Sequence, residues 1–293
     1  MSGTLFDEGF MSKLENMSLH FKNAVNSVYT GGRRSKSHGS TVEFSDFREY
    51  TPGDDYRRID WNAYARFEKF FIKLYLDEKQ LHTRILLDTS KSMDFGEPNK
   101  GFLAKRLAAA FAYMAIGSLD RASIYSVSEH MEHVCSGIEG RNAFYKSLER
   151  LAAVPFKGES RLFECVKDIR NIYRGDGAAI IISDLLTDSD YKAMIDYLLY
   201  YKQQIILVHI LSPDELNPQY SGRVRLLDSE GNDYRDLDIT PRTLDLYKRT
   251  LRSFMDDIAS FCAKRGVYLL QISSDESLES ILLGKGHSLG IIS

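Results

Sequence analysis

Short apolar segments that alternate with helical patterns constrain the fold of this chain more than any other feature. The segments at residues 84–88, 178–184 and 204–211 are almost continuously apolar and shorter than an ordinary helix. Helical patterns of apolar residues stand between them, at residues 102–119, 141–151, 162–173 and 191–201. Strands that are apolar on both faces are typical of a parallel sheet covered by helices on both sides. We therefore expect an α/β fold with a doubly wound, mainly parallel sheet.

Two regions depart from this alternation. Residues 213–240 contain two strand-like runs and predict a β-hairpin inserted before the last long helix, which Thr240-Pro241 begins and Gly266 ends. Residues 1–80 combine an N-terminal helical pattern, a basic Gly- and Ser-rich linker at 31–40 and a β-rich segment. We thus expect an N-terminal helical and β-rich extension at 1–80 and a main domain at 81–293.

Composition excludes several classes of protein. A hydrophobic content of 43% in 293 residues is enough for a sizeable core. The net charge of -3 gives no overall basic surface, so nucleic acid is not an expected partner. The 3 cysteines lack paired spacing, which argues against a disulfide framework or a zinc cluster. Since no apolar run is long enough to span a bilayer and no signal pattern is present, we expect a cytoplasmic protein without a membrane span.

The loop after the segment at 84–88 carries the candidate chemistry. Asp88, Ser90 and Ser92 stand at alternate positions and supply one carboxylate and two hydroxyls. Hard oxygen ligands of this kind suit Mg²⁺ or Mn²⁺, but they do not fill an octahedral shell, so water, distant loops or a partner must complete it. Asp184 also follows a predicted strand, at the end where α/β proteins bind ligands. A simpler interpretation is that Asp88 and Ser90 only cap the following helix.

The run Asp88-Thr89-Ser90-Lys91-Ser92 resembles the D-x-S-x-S motif of the metal-ion-dependent adhesion site in von Willebrand factor A domains. This resemblance implies a von Willebrand factor A-like, Rossmann-type fold. It also implies that a Thr on a second loop and an Asp after a later strand complete the metal shell. Ser160 is similar to that Thr and Asp184 to that Asp, although Leu185 stands where a Gly is usual. The metal site implied by the resemblance consists of Asp88, Ser90, Ser92, Ser160 and Asp184.

The run from Phe47 to Trp61, followed by Ala65-Arg66, strongly resembles the bacterial family catalogued as domain of unknown function 58. The resemblance extends over roughly residues 40–275. It implies a non-catalytic adaptor or assembly partner of a MoxR-type AAA+ ATPase, in which an Asp or Glu of the partner completes the metal shell. Taken alone, this mixture of arginines, acids and aromatic residues fits either a structural clamp or a binding face.

Two other functions stay open. A hydroxyl-rich Mg²⁺ site with Lys91 beside it could position a phosphate ester for hydrolysis, although the motif supplies no evident general base. A scaffold that binds no metal is a further alternative, because Ser160 replaces the usual Thr. A P-loop, a G-x-S-x-G elbow and a haloacid dehalogenase motif are all missing from the expected positions, and we predict no catalytic residue.

Overall fold

The computed structural model describes residues 6, 8–15, 17, 19, 43–76, 81–168, 177–227 and 234–292. Contacts divide the chain into two compact units, a smaller one of Lys22–Gln80 and a larger one of Met1–Phe21 with Leu81–Ser293. The linker predicted at 31–40, the later part of the N-terminal helical pattern and the end of the helix predicted at 162–173 lie outside the described residues.

The elements are numbered in chain order. The strands are β1 (Glu43–Glu49), β2 (Phe71–Leu76), β3 (His82–Asp88), β4 (Arg121–Val127), β5 (Met131–Ile138), β6 (Gly177–Ser183), β7 (Gln203–Leu211), β8 (Gly222–Leu227), β9 (Tyr234–Ile239) and β10 (Tyr268–Ser273). The α-helices are α1 (Glu8–Leu14), α2 (Trp61–Phe67), α3 (Lys100–Gly117), α4 (Gly140–Ala153), α5 (Leu162–Asp168), α6 (Tyr191–Tyr200), α7 (Pro213–Leu216) and α8 (Pro241–Arg265). A π-helix spans Ser280–Gly286.

A six-stranded sheet forms the centre of the larger unit, in the order β10-β7-β6-β3-β4-β5. Every neighbouring pair is parallel except β4 and β5, which run antiparallel. The predicted α/β class with a mainly parallel sheet is therefore confirmed, and this sheet is compatible with a Rossmann-like fold. The chain order reverses between β3 and β6, because β3 leads to β4 on one side while β6 lies on the other.

The sheet is buried on both faces because its central strands contain runs of consecutive apolar residues. Ile85 and Leu87 of β3 belong to one core cluster, whereas Leu86 belongs to the other. Successive side chains of a strand point to opposite faces, so a continuous apolar run supplies both clusters. Residues of α3 and α4 complete the first cluster, and residues of α5, α6 and α8 complete the second.

The N-terminal helix α1 belongs to the larger unit. Phe10 and Leu14 of α1 are almost fully buried and share a core cluster with residues of α3. Lys13 adds an ion pair with Glu279 at 3.2 Å. The apolar face of α1 thus packs on the core of the larger unit.

The predicted hairpin corresponds to β8 and β9, which pair antiparallel. The described side chains of β9 are almost all exposed. The short helix α7, which precedes the hairpin, was not predicted; it has a capping box in which Ser212 and Glu215 bond each other's backbone. Helix α8 begins at Pro241 after the Thr240 cap and ends at Gly266 in a left-handed conformation, as the sequence predicts.

The smaller unit contains β1 and β2, which pair antiparallel, with α2 between them in the chain. Asp60 caps α2 by accepting hydrogen bonds from the backbone N–H of Asn62 and Ala63. Asp54 fixes the preceding turn, because it accepts from the Thr51 hydroxyl at 2.9 Å and pairs with Arg48 at 2.7 Å. These bonds give part of the charged segment a structural role.

Candidate functional site

The predicted site residues gather at the carboxyl ends of β3 and β6. Asp88 is the last residue of β3, and Asp184 directly follows β6. Because these two strands are parallel neighbours, their ends meet at one edge of the sheet. The chain order reverses between them, and α/β sheets commonly bind ligands at such a point.

Asp88 is fully buried and accepts hydrogen bonds from three directions. Its Oδ2 accepts from the Ser183 hydroxyl at 2.6 Å and from the Ser160 hydroxyl at 2.9 Å. Its Oδ1 accepts from the backbone N–H of Ser90 at 3.0 Å. Asp88 thus joins the ends of two strands to the loop that carries Ser160.

The hydroxyls of Ser90 and Ser92 form a hydrogen-bonded pair, with 3.0 Å between their Oγ atoms. Ser90 is fully buried and Ser92 is partly exposed, so the pair extends from the interior toward solvent. A single 3₁₀ turn, Lys91–Met93, places Ser92 beside Ser90. Neither Asp88 nor Ser90 caps α3, because the Asn99 side chain accepts from the Phe102 N–H at that helix start. The simple capping interpretation is therefore wrong for α3.

The loop that carries Ser160 is held against the loop after β3 by backbone hydrogen bonds. The Lys157 N–H donates to the Thr89 carbonyl at 2.8 Å, and the Lys91 N–H donates to the Gly158 carbonyl at 3.0 Å. Gly158 has a φ of +74°, and a Cβ there would lie 2.8 Å from Glu129 Oε1. The positive φ favours glycine, and a Cβ would in addition make the exposed Glu129 side chain move aside.

Both carboxylate oxygens of Asp184 are engaged by the protein. Oδ1 accepts from the Leu186 N–H at 2.9 Å, and Oδ2 accepts from Lys100 Nζ at 2.6 Å. The Asp184 carbonyl accepts a hydrogen bond from His209 Nε2 at 2.9 Å. Leu185 has a positive φ of 54°, a conformation that glycine adopts more readily, and its side chain is buried in the core.

Lys100 and Glu215 are site residues that were not predicted. Lys100 is the first residue of α3 and is fully buried, and its Nζ lies 2.6 Å from Asp184 Oδ2 and 2.5 Å from Glu215 Oε1. Residues so far apart in the chain carry no local signal of their pairing. The pattern Ser212-Pro213-Asp214-Glu215 is a capping-box signature that could have predicted α7, but not its contact with Lys100.

Burial and like charges dominate the electrostatics of the site. Burial raises the pKa of Asp88, the negative charge of Asp184 raises it further, and hydrogen bonds from Ser183 and Ser90 oppose the shift. Burial lowers the pKa of His209 to about 4 despite its hydrogen bond with Asp184. His209 is therefore neutral at pH 7, and Lys100 supplies the positive charge next to Asp184.

The donor set fits a hard divalent cation. Within the described ranges, no group of three or more His, Cys, Asp and Glu side chains is placed to hold a metal ion, so a zinc-like site is not seen there. The candidate set instead combines two carboxylates with three hydroxyls. Adjacent ligands of an octahedral Mg²⁺ with bonds of about 2.1 Å lie about 3.0 Å apart. The 3.0 Å between the Oγ atoms of Ser90 and Ser92 matches that separation.

The smaller unit carries a separate group of aromatic side chains. Tyr64 and Phe70 stack with their centroids 4.5 Å apart, and Trp61 meets both rings edge-on. Trp61 is 62% exposed, which is unusual for so large an apolar side chain. A cavity of about 540 Å³ lies nearby, lined partly by Phe47, Asp60, Arg66, Phe67 and Phe71. The segment from Phe47 to Phe71 thus combines a structural ion pair, Arg48 with Asp54, and an exposed aromatic surface.

Comparisons with known proteins add family and structural relatives. A family profile described as "Protein of unknown function DUF58" matches residues 46–253. An uncharacterised protein of Mycobacterium bovis is 25% identical over 280 residues, which cover 94% of this chain and 88% of that protein. The hypothetical protein BatB from Bacteroides thetaiotaomicron shares 12% identity at a TM-score of 0.41, over 72% of this chain and 98% of that one.

A second similar solved structure is named as a membrane protein. It is an aerotolerance-related membrane protein from Bacteroides fragilis, 11% identical at a TM-score of 0.41, covering 71% of this chain and 99% of that one. That protein is named as a membrane protein, whereas we predicted a cytoplasmic location for this chain, and we withdraw that prediction. Among the helices of the described residues, none is long and apolar enough to cross a bilayer.

Proposed function

The chain belongs to the DUF58 family of proteins of unknown function, and we propose that its larger unit is a metal-dependent protein–protein interaction module. In this proposal the unit is von Willebrand factor A-like and holds Mg²⁺ or Mn²⁺ at an adhesion-type site. Ser90 and Ser92 bind the ion directly, and Ser160 binds it directly or through water. The bound ion supplies a Lewis-acidic position for an acidic side chain of another protein.

The observation that carries this proposal is the hydroxyl pair. Ser90 Oγ and Ser92 Oγ are 3.0 Å apart, at the separation of neighbouring ligands on an octahedral ion. Ser92 is partly exposed, so an ion bound there is accessible to a partner. The two hydroxyls are hydrogen-bonded to each other, and Asp88 accepts from the Ser90 N–H and from the Ser160 hydroxyl, so Ser90 is held in a fixed position for an ion.

The charge of the site supports a divalent ion. Two carboxylates, Asp184 and Glu215, contact the Lys100 ammonium, and a third, Asp88, lies close enough to Asp184 for their charges to interact. When all four groups are ionised, three negative charges and one positive charge leave a net charge of about two negative units. Because buried carboxylates repel one another, a dication at the site offsets that repulsion.

Asp88 and Asp184 have supporting roles in this proposal. Their oxygens already accept hydrogen bonds from Ser183, Ser160, Leu186 and Lys100, and from the Ser90 N–H. They therefore act on the ion mainly through water while they supply negative charge. Such an arrangement leaves coordination positions for water and for the carboxylate of a partner.

The proposed partner is a protein that presents an Asp or Glu, and a MoxR-type AAA+ ATPase is the candidate that the family resemblance suggests. The test is binding of the purified MoxR-type ATPase of the same organism to the immobilised chain, in Mg²⁺ and in EDTA. We expect binding in Mg²⁺ that is lost in EDTA and in Ser92→Ala, while the buried-serine control Ser147→Ala binds normally. Equal binding in EDTA contradicts a metal-dependent interaction.

Lys100 favours a second candidate, a scaffold that binds no metal. Its ammonium is fully buried against Asp184 and Glu215, so part of the negative charge is already neutralised within the protein. A scaffold of this kind recognises its partner by shape and is indifferent to EDTA. The same binding experiment therefore separates the two candidates.

A further inference from the structure

Lys100 lies in a position where lysine is seldom found. Its side chain has no exposed surface, although lysine is almost never fully buried unless it is paired. Its Nζ contacts Asp184 Oδ2 at 2.6 Å and Glu215 Oε1 at 2.5 Å. Both contacts are short, charge-assisted hydrogen bonds, so the ammonium replaces lost hydration with two carboxylates.

The two carboxylates that bind Lys100 belong to different parts of the site. Asp184 is one of the proposed metal-site residues, whereas Glu215 lies on α7 and carries no proposed metal contact. Glu215 is itself held in place, since its Oε2 accepts from the Ser212 N–H at 2.7 Å and its carbonyl accepts from the Tyr247 hydroxyl at 2.8 Å. Glu215 thus offers Lys100 a fixed second counter-ion.

A metal ion that binds Asp184 directly competes with Lys100 for the same carboxylate. Asp184 Oδ1 is occupied by the Leu186 N–H, and Oδ2 is occupied by Lys100. Direct coordination of an ion by Asp184 brings a second cation close to the ammonium, and the two cations repel. The repulsion falls if the ammonium shifts toward Glu215, which can neutralise it there.

We propose that Lys100 is an internal cation that competes with a divalent ion for Asp184 and thereby weakens metal binding in the natural protein. Glu215 acts as the alternative counter-ion of Lys100. The inference rests on the proposed metal site and identifies the residue that sets its affinity. Lys100 is a positioning residue in this account, because it acts on the ion through Asp184.

The experiment compares Mn²⁺ binding by the full-length chain and by a charge-matched variant. In Lys100→Met/Glu215→Gln one positive and one negative charge are removed together, so the net charge of the site is unchanged. Methionine keeps the length of the lysine stem, and glutamine keeps an acceptor for the Ser212 N–H. Thermal unfolding of each variant shows that it is folded before Mn²⁺ is added.

We expect the charge-matched variant to bind Mn²⁺ about tenfold more tightly than the natural chain. The number of exchangeable waters on bound Mn²⁺, measured by water-proton relaxation, is expected to fall by about one as Asp184 becomes a direct ligand. A change in folding stability alone does not alter that number, so the relaxation measurement separates competition from a merely structural effect.

Each outcome is decisive. Equal or weaker binding by the variant, with binding by the natural chain intact, overturns the role of Lys100 and leaves the proposed function standing. Binding by neither protein overturns both. Binding by the variant alone supports the competition but shows that the natural chain is a scaffold without metal, which contradicts the proposed function.

A single variant keeps the inference testable if substitution of Lys100 prevents folding. Glu215→Gln leaves Asp184 as the only carboxylate bound to Lys100, so we expect weaker Mn²⁺ binding, by about fivefold. Glu129→Gln is the control, because it removes a carboxylate beside the Ser160 loop without touching Lys100. If Glu215→Gln and Glu129→Gln weaken Mn²⁺ binding equally, the loss of one negative charge explains both effects. That result overturns the proposed competition.

Discussion

The Nζ of Lys100 lies 2.6 Å from Oδ2 of Asp184, and both side chains are fully buried. This ion pair joins the first turn of α3 to the carboxyl end of β6. It also explains how two carboxylates, Asp88 and Asp184, are held near one another inside the protein, because the ammonium offsets part of their repulsion. The site is consequently built from a local motif and from a distant cation that the motif does not reveal.

Ser183→Ala tests whether the hydrogen bond from the Ser183 hydroxyl stabilises Asp88 in the site. The Ser183 hydroxyl donates to Asp88 Oδ2 at 2.6 Å and accepts from the Leu185 N–H at 2.9 Å, and both contacts are buried. We expect a loss of about 1–3 kcal/mol in the free energy of unfolding, because a buried N–H is left without its acceptor. Urea denaturation measures this loss.

The same variant is expected to weaken Mn²⁺ binding by about tenfold, since Asp88 loses its shortest hydrogen bond. Ser147→Ala is the control: it removes another buried serine hydroxyl, whose partner is the Phe144 carbonyl in α4. A loss of metal affinity in the control as large as in Ser183→Ala shows that general destabilisation, not the support of Asp88, is responsible.

Gly158→Ala tests the loop that carries Ser160. An alanine at position 158 must keep the backbone φ of +74°, and its Cβ lies 2.8 Å from Glu129 Oε1. Gly140→Ala has the same φ, but nothing lies within 4 Å of its Cβ. We expect about 1 kcal/mol of destabilisation in Gly140→Ala from backbone strain alone, and slightly more in Gly158→Ala, where the flexible Glu129 side chain must also move aside.

Shortening Glu129 separates the two contributions in this loop. Glu129→Ala removes the side chain that crowds position 158, so Gly158→Ala should cost less in that background. Thermal unfolding of the single and double variants gives the comparison. Additive effects contradict a steric conflict between position 158 and Glu129.

His82 predicts a dependence of stability on pH. Burial lowers its pKa to about 4, and the charges of Arg84 and Arg121 contribute in the same direction. The unfolded chain takes up the proton near the ordinary pKa of about 6.5, whereas the folded chain resists it. The stabilisation from neutral His82 is therefore complete above about pH 6.5 and is lost as the pH falls toward 4.

Urea midpoints at pH 7.5 and pH 5.0 measure this effect. The natural chain is expected to lose more stability between the two values than His82→Gln, in which glutamine retains a polar group near Ser123 Oγ, the 2.8 Å partner of His82. The exposed His287 provides the control, since His287→Gln should behave like the natural chain. Identical losses in His82→Gln and the natural chain contradict the assignment.

Much of the fold was predictable because the central strands are apolar on both faces. The runs that became β3, β6 and β7 allow only a covered, mainly parallel sheet, and the Gly266 helix end follows from its free access to a positive φ. Helices α2 and α7 were not predicted, since they are short and depend on caps, Asp60 and Ser212, more than on apolar spacing.

The site was only partly predictable. Asp88 and Asp184 follow apolar strands, so their positions at one sheet edge could be inferred. Ser160 was suggested by resemblance alone, and its hydroxyl lies 2.9 Å from Asp88 Oδ2. Lys100 gave no signal, because a buried lysine cannot be told from a surface lysine until the tertiary fold brings its carboxylates together. Whether these residues bind a metal stays a prediction.

Isothermal titration of the full-length chain with Mg²⁺ and with Mn²⁺ tests the central claim most directly. The account predicts saturable binding near one ion per chain, weakened about tenfold or more in Ser92→Ala, which removes one oxygen of the pair at 3.0 Å. Absence of binding by the natural chain, or equal affinity in Ser92→Ala, contradicts a metal site at Ser90 and Ser92.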